Sequence, residues 1–149
     1  RGVVLILVVS CVILNNNKVL MVQEGKNHIY GLWNFPSGRL ENNERIVNAV
    51  AREVEEETGY KVTISGLTGI YNFFSETNTQ VIMFNFIGEV VGGDLKYNNE
   101  EIINVKWLSI NEISELKDNE LRNCRLIRNI INDLKDKCIV PLDIINDLI

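Results

Sequence analysis

The chain has 149 residues, 46% of them hydrophobic, with a formal charge of −5 and a pI near 4.9. That is one domain's length with ample material for a core, so residues 1–149 are expected to fold as a single domain. The acidic balance argues against nucleic acid and anionic membranes as partners, since both select basic surfaces.

Val3 to Leu14 is a β-branched apolar run and Val19 to Gln23 a second one. Asn15-Asn16-Asn17-Lys18 between them is a turn signal, predicting a hairpin-like pair of strands. The first run is apolar enough to suggest the core of a signal peptide. Its only basic flank is Arg1, however, and it is too short to span a bilayer, so a buried strand is the better reading. Glu24 to Gly38 reads as a loop. Asn42 or Asn43 as N-cap and Gly59 at the C′ position bound a helix from about 43 to 58. Its stripe of Ile46, Val47, Val50, Ala51 and Val54 should face the core. Lys61 to Phe74 is strand material broken by Gly66 and Gly69. Thr79 to Val91 alternates, with Ile82, Phe84 and Phe86 on one side and Val81, Met83, Asn85 and Ile87 on the other. Gly92-Gly93-Asp94 marks a turn, and Val105 to Ser109 a short strand. Ile110 to Leu116 and Asn119 to Lys135 have helical patterning. Pro141 opens an apolar tail, Leu142 to Ile149, that is expected to dock. Strands, a helix, more strands and closing helices make a mixed α/β domain.

The first helix carries the chemistry. Glu53, Glu56 and Glu57 stand at i, i+3 and i+4, within an arc of roughly 100°, close enough to share one divalent cation, while Glu55 points away. A solvated acidic face is the ordinary alternative for such a trio. Cys11, Cys124 and Cys138 are odd in number and show no C-x-x-C spacing, which fits a reducing cytoplasm. His28 is the only histidine and sits in a polar loop, so it is read as exposed or contacting a partner rather than catalytic.

Gly38 to Tyr60 resembles the Nudix box, G-x5-E-x7-R-E-U-x-E-E-x-G-U, where U is a bulky aliphatic residue. Gly38, Glu44, Arg52, Glu53, Val54, Glu56, Glu57 and Gly59 all match, and Tyr60 stands at the last U. Chance would give this agreement on the order of once in 10⁸ placements, so the resemblance outweighs the solvated-face alternative. The lead-in Trp33-Asn34-Phe35-Pro36-Ser37-Gly38 is similar to the family's W-x-x-P-G-G, with Ser37 replacing the first glycine.

The resemblance implies a Nudix fold, a mixed β-sheet sandwiched between α-helices. It also implies a Mg²⁺- or Mn²⁺-dependent hydrolase for a nucleoside diphosphate linked to a further group. Glu53, Glu56 and Glu57 would hold the metal with the Gly38 carbonyl, and Arg52 paired to Glu44 would orient them. Glu101, preceding Trp107 at the family's spacing, would supply a further carboxylate, with Glu100 as its neighbour. Glu53 and Glu101 are both candidates for the general base. Trp33, Phe35, Phe73, Phe84 and Phe86 could stack a base, though core packing is the safer reading of Phe84 and Phe86. Asn119 and Asn123 could bond a purine edge, with capping or solvation the safer reading of each. A small phosphorylated nucleotide is the expected partner, and a homodimer the assembly left open. Marks of the ADP-ribose, CoA, NADH and diadenosine-polyphosphate subfamilies do not occur, so by elimination a MutT-like nucleoside triphosphate pyrophosphohydrolase leads. An ADP-ribose or sugar-nucleotide pyrophosphatase and a non-catalytic nucleotide sensor are the alternatives. The intact glutamates weigh against the sensor. An isomerase on the same scaffold would need a cysteine beside the box, and Cys11, Cys124 and Cys138 are remote in sequence.

Overall fold

The computed structural model describes residues 4–136 and 139–149. Strand β1 (Leu5–Asn15) turns into β2 (Lys18–Glu24) through Asn16 and Asn17, whose φ values are 49° and 62°. Two successive left-handed residues form the mirror-image turn that matches strand twist, and asparagine enters that region more readily than any residue but glycine. The predicted strand pair is present, with Val3 outside the described residues. Its ladder is short, Leu14↔Val19 and Asn15↔Lys18, because the body of β1 pairs elsewhere.

The stretch expected to be loop contains β3 (Trp33–Asn34) and β4 (Ser37–Arg39). Then follow α1 (Ile46–Thr58), β5 (Tyr60–Phe74), β6 (Gln80–Gly93), β7 (Ile102–Ser109), α2 (Ile110–Glu115) and α3 (Cys124–Asp136). One 7-stranded sheet runs β3-β2-β1-β6-β5, with β4 added on β1 and β7 on β2. β1 and β6 are parallel from Leu5↔Gln80 to Ile13↔Gly88, whereas the other pairs are antiparallel.

Alternation along the central strands makes two cores. Val9, Cys11, Ile13 and Phe86 meet Ala49, Val50 and Val54 of α1 on one face. Val12, Val81 and Met83 meet Ile113 of α2 and Ile127, Ile130 and Ile131 of α3 on the other. The sheet therefore lies between helices, as the resemblance implied. Where the core crosses strands β1, β6 and β5 it encloses a polar trio: Ser10 donates to the Asn85 Oδ1, and Asn85 Nδ2 donates to Thr68.

Several boundaries differ from expectation. α1 begins at Ile46 behind an extended Arg45, because Asn43 takes a left-handed φ of 61° that a helix cannot include. Neither Asn42 nor Asn43 is the N-cap, but Gly59 does close the helix at φ 80°. Gly66 and Gly69 lie at register shifts inside β5, so they bend one long strand instead of ending it. The last helix starts at Cys124, since 118–120 form a 3-10 turn and Leu121 is extended. The tail docks as expected: Leu67 and Val140 exchange N–H···O bonds of 2.8 and 2.9 Å, and Leu142 and Ile145 pack on the α1 side of the sheet. Among the described residues no helix is long and apolar enough to cross a membrane.

Candidate active site

β4 lies antiparallel to β1, with Gly38 opposite Val9, and this places Gly38 against the carboxylate-bearing side of α1. A Cβ on Gly38 would overlap the Glu53 carboxyl group. Glycine is needed there because the two elements touch. On the preceding residue the Ser37 N–H donates to Glu57 Oε1 at 3.0 Å. Glu53 and Glu57, one turn apart, thus both bear on the backbone of β4.

Arg52 organises the outer side of the cluster. Its Nε and Nη2 grip Glu44 Oε2 and Oε1 at 2.6 and 3.0 Å, the two-pronged geometry that fits guanidinium to carboxylate. Nη1 donates to Glu53 Oε1 at 2.8 Å and Glu56 Oε2 at 3.2 Å, and Nη2 also reaches the Arg39 carbonyl at 3.1 Å. Hydrogen bonding to Arg52 pulls the Glu44 carboxyl below the usual carboxylate range. Burial pushes Glu53 up, with the nearby charges of Glu56 and Glu101 adding to it and Arg52 opposing. Glu57 is driven well above the ordinary value, first by burial and then by Glu24, Glu53 and Glu101, against the lowering effect of Ser37. Of the two candidate outlying acids, Glu101 is the one whose charge acts on both Glu53 and Glu57.

Among the described residues, Arg52 is the cation hydrogen-bonded to Glu44, Glu53 and Glu56. Among the described residues no three such side chains stand together as a finished metal cage. Arg52 holds Glu53 and Glu56, while Ser37 holds Glu57. The donor set is nonetheless one for a hard divalent ion such as Mg²⁺ or Mn²⁺, being all carboxylate oxygen beside a glycine-cleared backbone. Burial raises Glu53 and Glu57 and the neighbouring carboxylates add to it, and such an ion would offset both effects.

A cavity of about 340 Å³ opens from Gly38 and Glu57. Val8, Ile29, Phe73, Val81, Met83 and Leu126 give it apolar walls, and Glu24, Asn34, Arg122 and Asn123 supply polar groups. Glu24 is buried and accepts from Asn34 Nδ2 at 3.2 Å and from Arg122 Nη1 at 3.1 Å. Arg122 also binds Glu76 at 2.9 Å, with His28 3.9 Å from the same carboxylate.

Of the five aromatics considered for base stacking, Phe73 alone lines this cavity. Phe35, expected to contact substrate, is only 1% exposed and belongs to the core on the α3 side. It has no free ring face, and that expectation is corrected. Phe84 and Phe86 pack in the opposite core. Trp33 is half-buried on β3 under Lys106 Nζ, 5.9 Å from its ring centre, and does not line the cavity. Asn119 is exposed on the 3-10 turn, away from the lining. Asn123 does line the cavity, while its Oδ1 accepts the Leu126 N–H at 3.1 Å and caps α3. Glu24, Arg122 and Glu76 escaped sequence reading. They come from β2, the turn before α3 and the β5–β6 turn, and no local spacing connects them. Cys11 is buried, and Cys11 and Cys124 are free thiols; Cys138 is outside the described residues.

The family model of the NUDIX domain matches residues 4–130. The chain is similar to a putative nudix hydrolase 1 of Caenorhabditis elegans, 32% identical over 141 residues that cover 91% of this chain and 37% of the relative. It is 38% identical over 104 residues to the 8-oxo-dGDP phosphatase of Danio rerio, covering 67% of this chain and 31% of that one. The chain thus spans about a third of the length of these curated relatives. Among solved structures, a NUDIX hydrolase from Nitrosomonas europaea superposes with a TM-score of 0.87 at 34% identity, covering 95% and 96% of the two chains. The box residues that drew attention in the sequence fall within a match that runs through both cores, and this chain belongs to the Nudix hydrolase family.

Proposed function

We propose that this protein hydrolyses a phosphoanhydride bond in a nucleoside diphosphate linked to another group, with a (d)NTP cleaved to nucleoside monophosphate and pyrophosphate as the leading substrate class. The observation that carries the reading is the Arg52 fork. It grips Glu44 with two nitrogens and Glu53 and Glu56 with the third, beside a glycine that clears space for the Glu53 carboxylate. A structural helix gains nothing from crowding Glu53, Glu56 and Glu57 in this way.

In this reading Glu53, Glu56, Glu57 and the Gly38 carbonyl hold Mg²⁺ or Mn²⁺, which when bound neutralises phosphate charge and acidifies a water. Arg52 orients Glu53 and Glu56, so that little reorganisation is left for the reaction itself. Glu53 or Glu101 accepts the proton of the attacking water. The apolar wall of the cavity excludes solvent from one side of the substrate and offers the Phe73 ring to a base, with Asn123 Nδ2 and Glu24 Oε1 left to its polar edge. Glu24 is an acceptor facing a nucleobase, so it favours a base edge that carries N–H groups.

The test is a panel of canonical and oxidised (d)NTPs, dNDPs, ADP-ribose, dinucleoside polyphosphates and sugar nucleotides, assayed with Mg²⁺ and with Mn²⁺. Pyrophosphate release from a nucleoside triphosphate is expected. No turnover of any member, or full turnover by Glu57→Gln, would overturn the assignment.

A further inference from the structure

Helix α1 starts without a capping side chain of its own. Its N-cap residue, Arg45, makes no side-chain cap bond, and no acidic residue stands in the first turn, where exposed amides ordinarily find a Ser, Thr, Asp or Asn oxygen. The acceptor comes from the far end of the sequence: Asp147 Oδ1 takes the Ile46 N–H at 3.3 Å. Arg45 Nη2 returns the contact to the Ile149 main-chain oxygen at 3.2 Å.

The segment that delivers Asp147 is built into the fold. Val140 exchanges two main-chain hydrogen bonds with Leu67 on β5. Gly66 has no Cβ where one would overlap the Ile139 side chain. Leu142 and Ile145 then pack with Ile46 and Val47 on the same core cluster. The family match ends at residue 130, so this strap lies outside it.

Glu44 stands two residues before Ile46 and holds Arg52, which in turn touches Glu53 and Glu56. We propose that Asp147 is a positioning residue for the reaction: by anchoring the start of α1 it fixes Glu44, and through Glu44 and Arg52 it sets where the Glu53 and Glu56 carboxylates stand. The inference rests on the hydrolase reading above and adds to it a residue that never meets the substrate.

Kinetics of Asp147→Ala and Asp147→Asn, alone and combined with Glu44→Gln, test it, together with titration of Mn²⁺ alone followed by electron paramagnetic resonance. Asp147→Ala is expected to lower kcat about 3–10-fold with KM within twofold, and to weaken Mn²⁺ binding by a similar factor. Asp147→Asn, which keeps an oxygen acceptor, retains at least half of kcat. In the Glu44→Gln background Asp147→Ala adds less than a further twofold, because the same link is already cut. Should the alanine variant misfold, Asp147→Leu, branched at Cγ like aspartate and lacking an acceptor, takes its place. Values of kcat and Mn²⁺ affinity within twofold of the unsubstituted protein overturn the proposal, as does a fully additive loss with Glu44→Gln. If the unsubstituted protein turns over no substrate, the hydrolase reading fails and the Mn²⁺ titration decides on Asp147. If it also binds no Mn²⁺, both fall.

Discussion

At Gly38 a single missing methyl group lets a strand and a helix share the space in which the Glu53 carboxylate lies. Gly38→Ala is expected to cost about 1–3 kcal/mol of stability through overpacking. Turnover should fall by on the order of 10²-fold, because a carboxylate displaced by about 1 Å is out of place for chemistry. Thermal melting and kinetics on one preparation separate the two effects. Arg52 is equally specific: a lysine has one point charge where the guanidinium serves Glu44, Glu53, Glu56 and the Arg39 carbonyl together. Arg52→Lys should therefore lose activity by roughly 10–100-fold while remaining folded. Glu44 also has a pH signature. Its pKa is lowered in the folded protein by Arg52, so the ion pair contributes stability that is fully present above the ordinary carboxylate pKa. That contribution disappears as pH falls through the lower folded value. Glu44→Gln should flatten the acid limb of a plot of Tm against pH, and an unchanged limb would show that the pair contributes nothing. Glu53, Glu56 and Glu57 are legible in the sequence because helical spacing is local, whereas Gly38, Glu44 and Arg52 are legible only through the resemblance to the Nudix box.

Elements were legible in kind more than in extent. The alternation of β6 separated the residues of the two cores correctly, Phe84 and Phe86 on one face and Val81 and Met83 on the other. Boundaries slipped where one backbone angle decided the matter, as at Asn43, or where glycine bent a strand that hydrogen bonding elsewhere kept continuous, as at Gly66 and Gly69. Asn85 alternates with Val81, Met83 and Ile87 in the sequence. In the fold it joins Ser10 and Thr68 of the neighbouring strands inside the core. Asn85→Ala removes the acceptor of a buried hydroxyl along with side-chain volume. A loss of about 2–4 kcal/mol in denaturant unfolding is expected, and a loss below about 1 kcal/mol would mean that water replaces the amide without penalty.

For the molecule as a whole, the proposed metal site predicts that stability depends on a divalent ion bound among the acidic groups at one end of α1. Chelation should abolish turnover. Mn²⁺ at one hundred times its Kd should add about 2.7 kcal/mol, or roughly 5–11 °C in Tm. The shift should vanish in Glu56→Gln or Glu57→Gln, and calorimetry decides it. What the sequence withheld at this scale is the cavity. Glu24, Phe73, Glu76, Arg122 and Asn123 converge only because β2, the β5–β6 turn and the turn before α3 are neighbours in space, and no pattern along the chain records that adjacency.

The parallel ladder between β1 and β6 joins partners 75 positions apart, Ser10 to Asn85 among them. A ribosome adding about 5–20 residues per second emits the one roughly 4–15 s before the other. During that interval the β1 edge that will receive β6 has no mate on the nascent polypeptide, open to chaperones and to its own copies on the same message. Synonymous codons that hasten translation between the two strands should therefore raise the yield of native protein, and pauses placed there should lower it.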